Sequence, residues 1–187
     1  MDLISTREVG GTEFGEKIRA MSMSLSDPVD PLARLLAFMA ARTQHIAQVI
    51  RPNISKGTCV VSDRYNDSTY VYQGIVDNLL PQYLELLSTR ALAFLGARPD
   101  ITVFFRVDAE VAFERGNARA NLDNDQYKKS KQQAFVIAEA YDRIISNLSP
   151  TQRKNVFVID GNQNIEEVRK DLRDVARRIY DGYTNPQ

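Results

Sequence analysis

The chain has 187 residues in which 24 Lys and Arg balance 24 Asp and Glu. That length suits one domain with a sizeable core, and that charge gives no basic excess for long nucleic acid or an anionic membrane. The single cysteine cannot close an internal disulfide, no charged n-region leads into an apolar run, and no apolar stretch reaches the roughly 20 residues of a membrane-spanning helix.

A soluble, cytoplasmic protein follows as the expectation, with no nucleic-acid or membrane partner and a local binding site. Short β-rich runs alternate with long amphipathic segments, a pattern of the α/β class. The first run, Asp2-Leu3-Ile4-Ser5-Thr6, passes into Arg7-Glu8-Val9-Gly10-Gly11. A helix is expected within Thr12 to Met23. A stronger one opens at Asp30-Pro31, an N-cap followed by proline at the first helical position, and is expected to stop at Arg51-Pro52. Its apolar stripe takes Leu32, Leu35, Leu36, Met39, Ile46 and Ile50, with Phe38 and Arg42 side by side at the edge. His45 reads as a surface or partly packed residue.

The second run, Thr58 to Ser62, contains Cys59, read as core, and ends on Asp63-Arg64-Tyr65. Further helices are expected at Pro81–Leu95, Ala109–Arg119, Asp125–Leu148 and Ile165–Tyr180, with strands at Ile101–Val107 and Asn155–Ile159. Three of the four strands are rich in Val, Ile and Phe with little polar alternation, as parallel strands covered on both faces are.

Ligands of open α/β sheets bind beyond the carboxyl ends of the strands. Arg7 and Arg64 stand at two such ends, and a guanidinium offers phosphate a planar, permanently charged fork. Asp63 could hold magnesium there. On these residues alone the Asp63-Arg64 pair also reads as a solvated ion pair. Arg115 and Arg119, near Gly116, could close over transferring phosphates, or lie in an exposed charged loop. No cysteine or histidine pair has metal-site spacing, and no Gly-x-Ser-x-Gly elbow occurs.

Thr6-Arg7-Glu8-Val9-Gly10-Gly11-Thr12, Phe38 with Arg42, and Asp63-Arg64-Tyr65 through Ser68-Thr69-x-x-Tyr72-Gln73-Gly74 together resemble the thymidylate kinase family, in the same order and over nearly the whole chain. Val9 stands where the bacterial family usually has Pro. The resemblance implies a parallel sheet of the P-loop-kinase type with helices on both faces, and transfer of a phosphoryl group from ATP to dTMP with Mg2+. It also implies a homodimer. Phe38 would stack on thymine, Arg42 would donate to a thymine carbonyl, Thr69 and Gln73 would meet the remaining base edge, and Tyr72 would pack below the sugar. Arg7 and Arg64, with Arg19 as a weaker candidate and Glu8 close by, would hold the monophosphate. Asp63 would serve magnesium. Arg115 and Arg119 would belong to a lid at about 115–126, contacting both reacting phosphates and ATP.

Two departures stand out. Asp123-Asn124-Asp125-Gln126 replaces the family's Asp-Arg-x-Glu, and no Gly-x-x-x-x-Gly-Lys-Ser/Thr loop occurs in the 187 residues. The resemblance therefore implies a sheet ordered 2-3-1-4-5 whose central strand and phosphate loop are missing, with Met1 an internal or misassigned start. An alternative is a homologue that binds dTMP and catalyses nothing.

Overall fold

The computed structural model describes residues 2–24, 28–90, 95–123 and 130–184. The chain forms two compact units, Met1–Arg98 and Pro99–Gln187.

In the first unit β1 (Leu3–Arg7) pairs in parallel with β2 (Cys59–Asp63), Leu3 opposite Cys59 and Arg7 opposite Asp63. A parallel pair needs a long crossover, and the helices between the strands supply it. α1 (Glu13–Ser24) packs against α2 (Pro31–His45), which starts where expected: the Asp30 carboxylate accepts from the amides of Leu32 and Ala33, and Pro31 occupies the first turn.

The expected stop at Arg51-Pro52 is corrected. The chain continues through a π-helical turn, Ile46–Ile50, into α3 (Arg51–Ile54). A proline ring clashes with the carbonyl four residues back in an α-helix. The wider turn, in which the Arg51 amide bonds to the Ile46 carbonyl, relieves that crowding.

Leu36 is also corrected, being exposed rather than part of the core stripe. The buried face runs Leu35, Met39, Arg42, His45 and Ile46, spaced by three and four residues. Leu35 and Met39 form a cluster with Leu84, and Ile46 and Ile50 form another that Val60 and Tyr65 complete. Cys59 is half-buried.

After β2, helical structure appears where none was expected: α4 (Asn66–Thr69) passes into a π-helical stretch, Tyr70–Val76. α5 (Pro81–Leu84) then leads into a second, Glu85–Arg90.

In the second unit β3 (Thr102–Arg106) pairs in parallel with β4 (Val156–Asp160), Arg106 opposite Asp160. α6 (Ala109–Asp123) outruns its expected end, passing through Gly116. α7 (Lys131–Ser146) opens on a capping box in which the Ser130 and Gln133 side chains each bond the other's backbone amide, and the expected start at Asp125 lies outside the described residues. Ser149 and Gln152 repeat the device at α8 (Pro150–Arg153), and α9 (Ile165–Thr184) closes the unit.

The strand pairings are β1 with β2 and β3 with β4. Each strand thus has one hydrogen-bonded neighbour among the described residues. Cover on both faces is not what the strands have: Leu3, Val61, Phe105 and Val158 are exposed.

Candidate functional site

Two glycines in the turn after β1 and a third in the first turn of α1 stand where a side chain would clash. Gly10 and Gly11 have φ of 147° and 73°, and a methyl group on Gly11 would fall 2.6 Å from Thr6 Oγ1 and 2.7 Å from His45 Nε2. A methyl on Gly15 would fall 2.6 Å from the Gly10 carbonyl oxygen. The chain can therefore press against α2 and the start of α1 only with glycine in these places. The Glu8–Val9 peptide bond within this turn is cis.

This close approach places Glu8, which is 6 % exposed, against α2. One carboxylate oxygen accepts from Arg42 Nε at 2.5 Å, and the other lies 2.9 Å from His45 Nδ1. The turn's own backbone is anchored to β2, where the Glu8 amide donates to the Asp63 carbonyl at 3.0 Å.

Arg42 is buried rather than at the edge of the apolar stripe. Besides Glu8 it donates to Asn66 Oδ1 at 3.3 Å, Thr69 Oγ1 at 3.1 Å and Met39 Sδ at 3.6 Å, and it lies 4.9 Å over the Tyr65 ring. Among the described residues these contacts engage four of its five N–H groups. The fifth sits on the nitrogen that bonds Thr69, aimed by that bond.

Three expected site residues, Glu8, Arg42 and Thr69, are thus joined in one buried network, with half-buried Phe38 one turn before Arg42 on α2. Gln73 is also buried, and its side chain bonds Asp77, which takes Arg34 on both oxygens at 3.1 Å. Burial raises the Asp77 carboxyl above the ordinary range against the pull of Arg34. Sequence reasoning left out Asp67. It lies in the first turn of α4, and burial raises its carboxyl despite the opposing charge of Arg42. Tyr65 donates to the Ala97 carbonyl at 2.8 Å, and burial raises its hydroxyl in turn.

The expected phosphate-binding arginines are nearer the solvent. Arg7 grips Glu16 with Nε at 3.2 Å and a terminal nitrogen at 2.8 Å, and the Gly11 amide adds a third bond to that carboxylate at 3.1 Å. Three donors therefore converge on one anionic group. The pair shifts both partners: the bond to Arg7 lowers Glu16, and the bond to Glu16 raises Arg7. Arg19 donates to the Val9 carbonyl at 3.3 Å, which braces the turn. Arg64 has φ of 68°, unusual for a residue with a side chain, and its guanidinium sits 5.3 Å over the Tyr72 ring and donates to the Tyr72 hydroxyl at 3.3 Å. Asp63 is an exposed carboxylate at the end of β2.

In the second unit Arg115 is held by the loop after β4, donating to the carbonyls of Gly161 at 2.5 Å and of Asn162 and Gln163 at 3.1 Å. Arg119 lies on α6. Its side chain, and residues 124–126 of the expected lid, fall outside the described residues.

Comparison with known proteins supplies a context for this geometry. A family model described as thymidylate kinase matches residues 1–172. The chain is 34 % identical over 173 residues to a thymidylate kinase of Pseudomonas putida strain F1, covering 92 % of this chain and 79 % of the relative. It is 31 % identical over 182 residues to one of Bartonella henselae, covering 95 % and 82 %. The crystal structure of thymidylate kinase from Ehrlichia chaffeensis superposes with a TM-score of 0.71 at 22 % identity, over 94 % of this chain and 81 % of that one, a likeness of fold.

Proposed function

The chain belongs to the thymidylate kinase family, and from that premise we propose that it transfers a phosphoryl group from ATP to dTMP, giving dTDP for dTTP synthesis. The observation that carries the reading is the buried guanidinium of Arg42, held between Glu8, Asn66 and Thr69 with one N–H group left over among the described contacts. That spare donor suits a thymine carbonyl. Cytosine presents an amino group at the corresponding position and would meet Arg42 donor to donor.

The other roles follow from the chemistry of each side chain. Phe38 supplies a flat apolar face for the base, Thr69 and Gln73 its remaining polar contacts, and Tyr72 the floor below the sugar. The acceptor phosphate takes Arg7 and Arg64, with Arg19 bracing the turn. In this reading the Arg7 fork and the Gly11 amide, which now hold Glu16, mark where a phosphate oxygen would be bound.

Asp63 fits magnesium, a hard cation that takes one or two carboxylates and keeps its remaining positions for water and substrate phosphates. When bound, the ion would neutralise charge on the transferring phosphoryl group. Arg115 and Arg119 would act over the reacting phosphates, which for Arg115 means leaving the carbonyls it now holds. For the ATP phosphates the 187 residues contain no Gly-x-x-x-x-Gly-Lys-Ser/Thr loop, so the residues present do not fit a loop-cradled triphosphate. That mismatch favours a second reading for these residues by themselves, dTMP binding without turnover. A homodimer and a cytoplasmic location complete the proposal.

Calorimetric titration with dTMP, set beside ADP release in the presence of dTMP and Mg-ATP, tests both readings. Binding with turnover supports the kinase, and binding without turnover selects the second reading. No binding of dTMP sinks both.

A further inference from the structure

We propose that His45 is a positioning residue for base recognition, holding Glu8 so that Glu8 fixes the plane of the Arg42 guanidinium. The ring has no exposure to solvent and cannot touch a ligand in the described arrangement. Both of its nitrogens are nevertheless partnered, Nδ1 by Glu8 Oε1 at 2.9 Å and Nε2 by Thr6 Oγ1 at 2.7 Å. The partners orient the ring. A carboxylate only accepts, so Nδ1 carries a proton toward Glu8, while Nε2 faces a hydroxyl that can either donate or accept.

Three features make this more than a filled core position. The first is spacing: Arg42 and His45, three residues apart, share a helical face and meet the two oxygens of one carboxylate. A carboxylate held through one oxygen can still turn about its last bond and carry the guanidinium with it. Held through both, it cannot.

The second is confinement. A methyl group on Gly11 would lie 2.7 Å from His45 Nε2 and 2.8 Å from Cδ2, so the ring is wedged between α2 and the turn that carries Glu8. The third is what the far edge of Arg42 does. Asn66 and Thr69 meet it at 3.3 and 3.1 Å, on the segment that contributes Thr69 and Gln73 to the proposed base site. Thr6, His45, Glu8, Arg42 and Thr69 therefore form one line of hydrogen bonds from β1 to that site. His45 is the link between Thr6 and Glu8 and does not contact Thr69, and a fixed outer partner of this kind sets the geometry of the group that does the binding.

The test compares three variants of the whole chain. In His45→Asn the amide nitrogen stands near the place of Nδ1 and can still donate to Glu8. In His45→Gln the amide reaches the Thr6 side, and His45→Leu keeps bulk but no polar atom. Calorimetry follows dTMP and, separately, inorganic phosphate as a probe of the Arg7 and Arg64 side. The exchange of the Arg42 Nε proton, followed by NMR, is the readout that needs no ligand.

The expected result is a loss of about tenfold in dTMP affinity for H45L and H45Q, with phosphate affinity unchanged and H45N close to the parent. The Arg42 Nε proton should exchange slowly in the parent and in H45N, and faster in the other two. Equal dTMP binding by all variants overturns the proposal. So does a parallel loss of dTMP and phosphate, which is the mark of a loosened fold. Should H45L not fold, the contrast between H45N and H45Q carries the same decision. The dTMP arm rests on the function proposed above. If the parent chain binds no dTMP, that reading fails, and the exchange measurement decides the role of His45 without it.

Discussion

Arg42 Nε and Glu8 Oε2 stand 2.5 Å apart with both side chains 4 % exposed. Two charges so far from water hold each other at the cost of their hydration, so each is safe only while the other is present. Replacing Arg42 by methionine, which leaves the Glu8 charge buried, should cost about 3–5 kcal/mol in urea unfolding. Adding Glu8→Leu should return part of that loss. Strictly additive costs would show that the two residues are not coupled.

Gly11 sets how near the turn lies to α2. Gly11→Ala meets both a positive φ of 73° and a methyl 2.6 Å from Thr6 Oγ1. The backbone term alone is about 1–2 kcal/mol. A melting temperature equal to the parent's would refute the packing described for the turn.

Gly116 is the opposite case. It lies within α6, and nothing stands within 4 Å of where a methyl group would go. Gly116→Ala should therefore stabilise the second unit by about 0.5–1 kcal/mol, read as a rise in melting temperature.

The pH dependence of stability should include an Asp67 component of definite sign. Its folded-state carboxyl is raised, with burial the largest cause. A raised carboxyl contributes stability that is fully present below the unfolded value and is lost as pH rises through the folded one. Asp67→Asn should thus melt higher than the parent at pH 7, by about 2–4 °C for each kcal/mol recovered. The gap should close as pH falls below the ordinary aspartate range. A gap that widens on acidification would reverse the assignment.

Glu16 occupies the donors proposed for the acceptor phosphate. Neutralising it as Glu16→Gln should tighten binding of inorganic phosphate a few-fold, since exposed pairs of this kind contribute about 0.2–1 kcal/mol. Calorimetry at low salt measures the change. Weaker binding would mean that Glu16 orients Arg7 rather than competing for it.

The four strands and the Asp30-Pro31 helix start were legible because their signals are local: a run of β-branched residues, a cap, a proline. The placing of Arg42 one turn after Phe38 was legible from their spacing. Its burial was not, because that depends on Glu8, which reaches α2 only after the glycine turn has folded. His45 carried even less signal. One histidine on a helix has no periodic partner, and only the joint approach of Thr6, Glu8 and Gly11 makes it a buried link. Arg51-Pro52 misled for the opposite reason: a true local stop signal was overridden by one wide turn.

That wide turn also sets the phase of what comes after it. At about 100° per residue, one extra residue in a turn rotates all later positions relative to a continuous α-helix. With this rotation Arg51 reaches the Leu95 carbonyl at 2.7 Å, while Ile46 and Ile50 stay on the buried side. The helix from Pro31 to Ile54 is consequently two helical faces joined end to end. Its first half is indexed to the Glu8 turn and its second to the chain near Leu95, and a one-residue deletion between them would take both out of register.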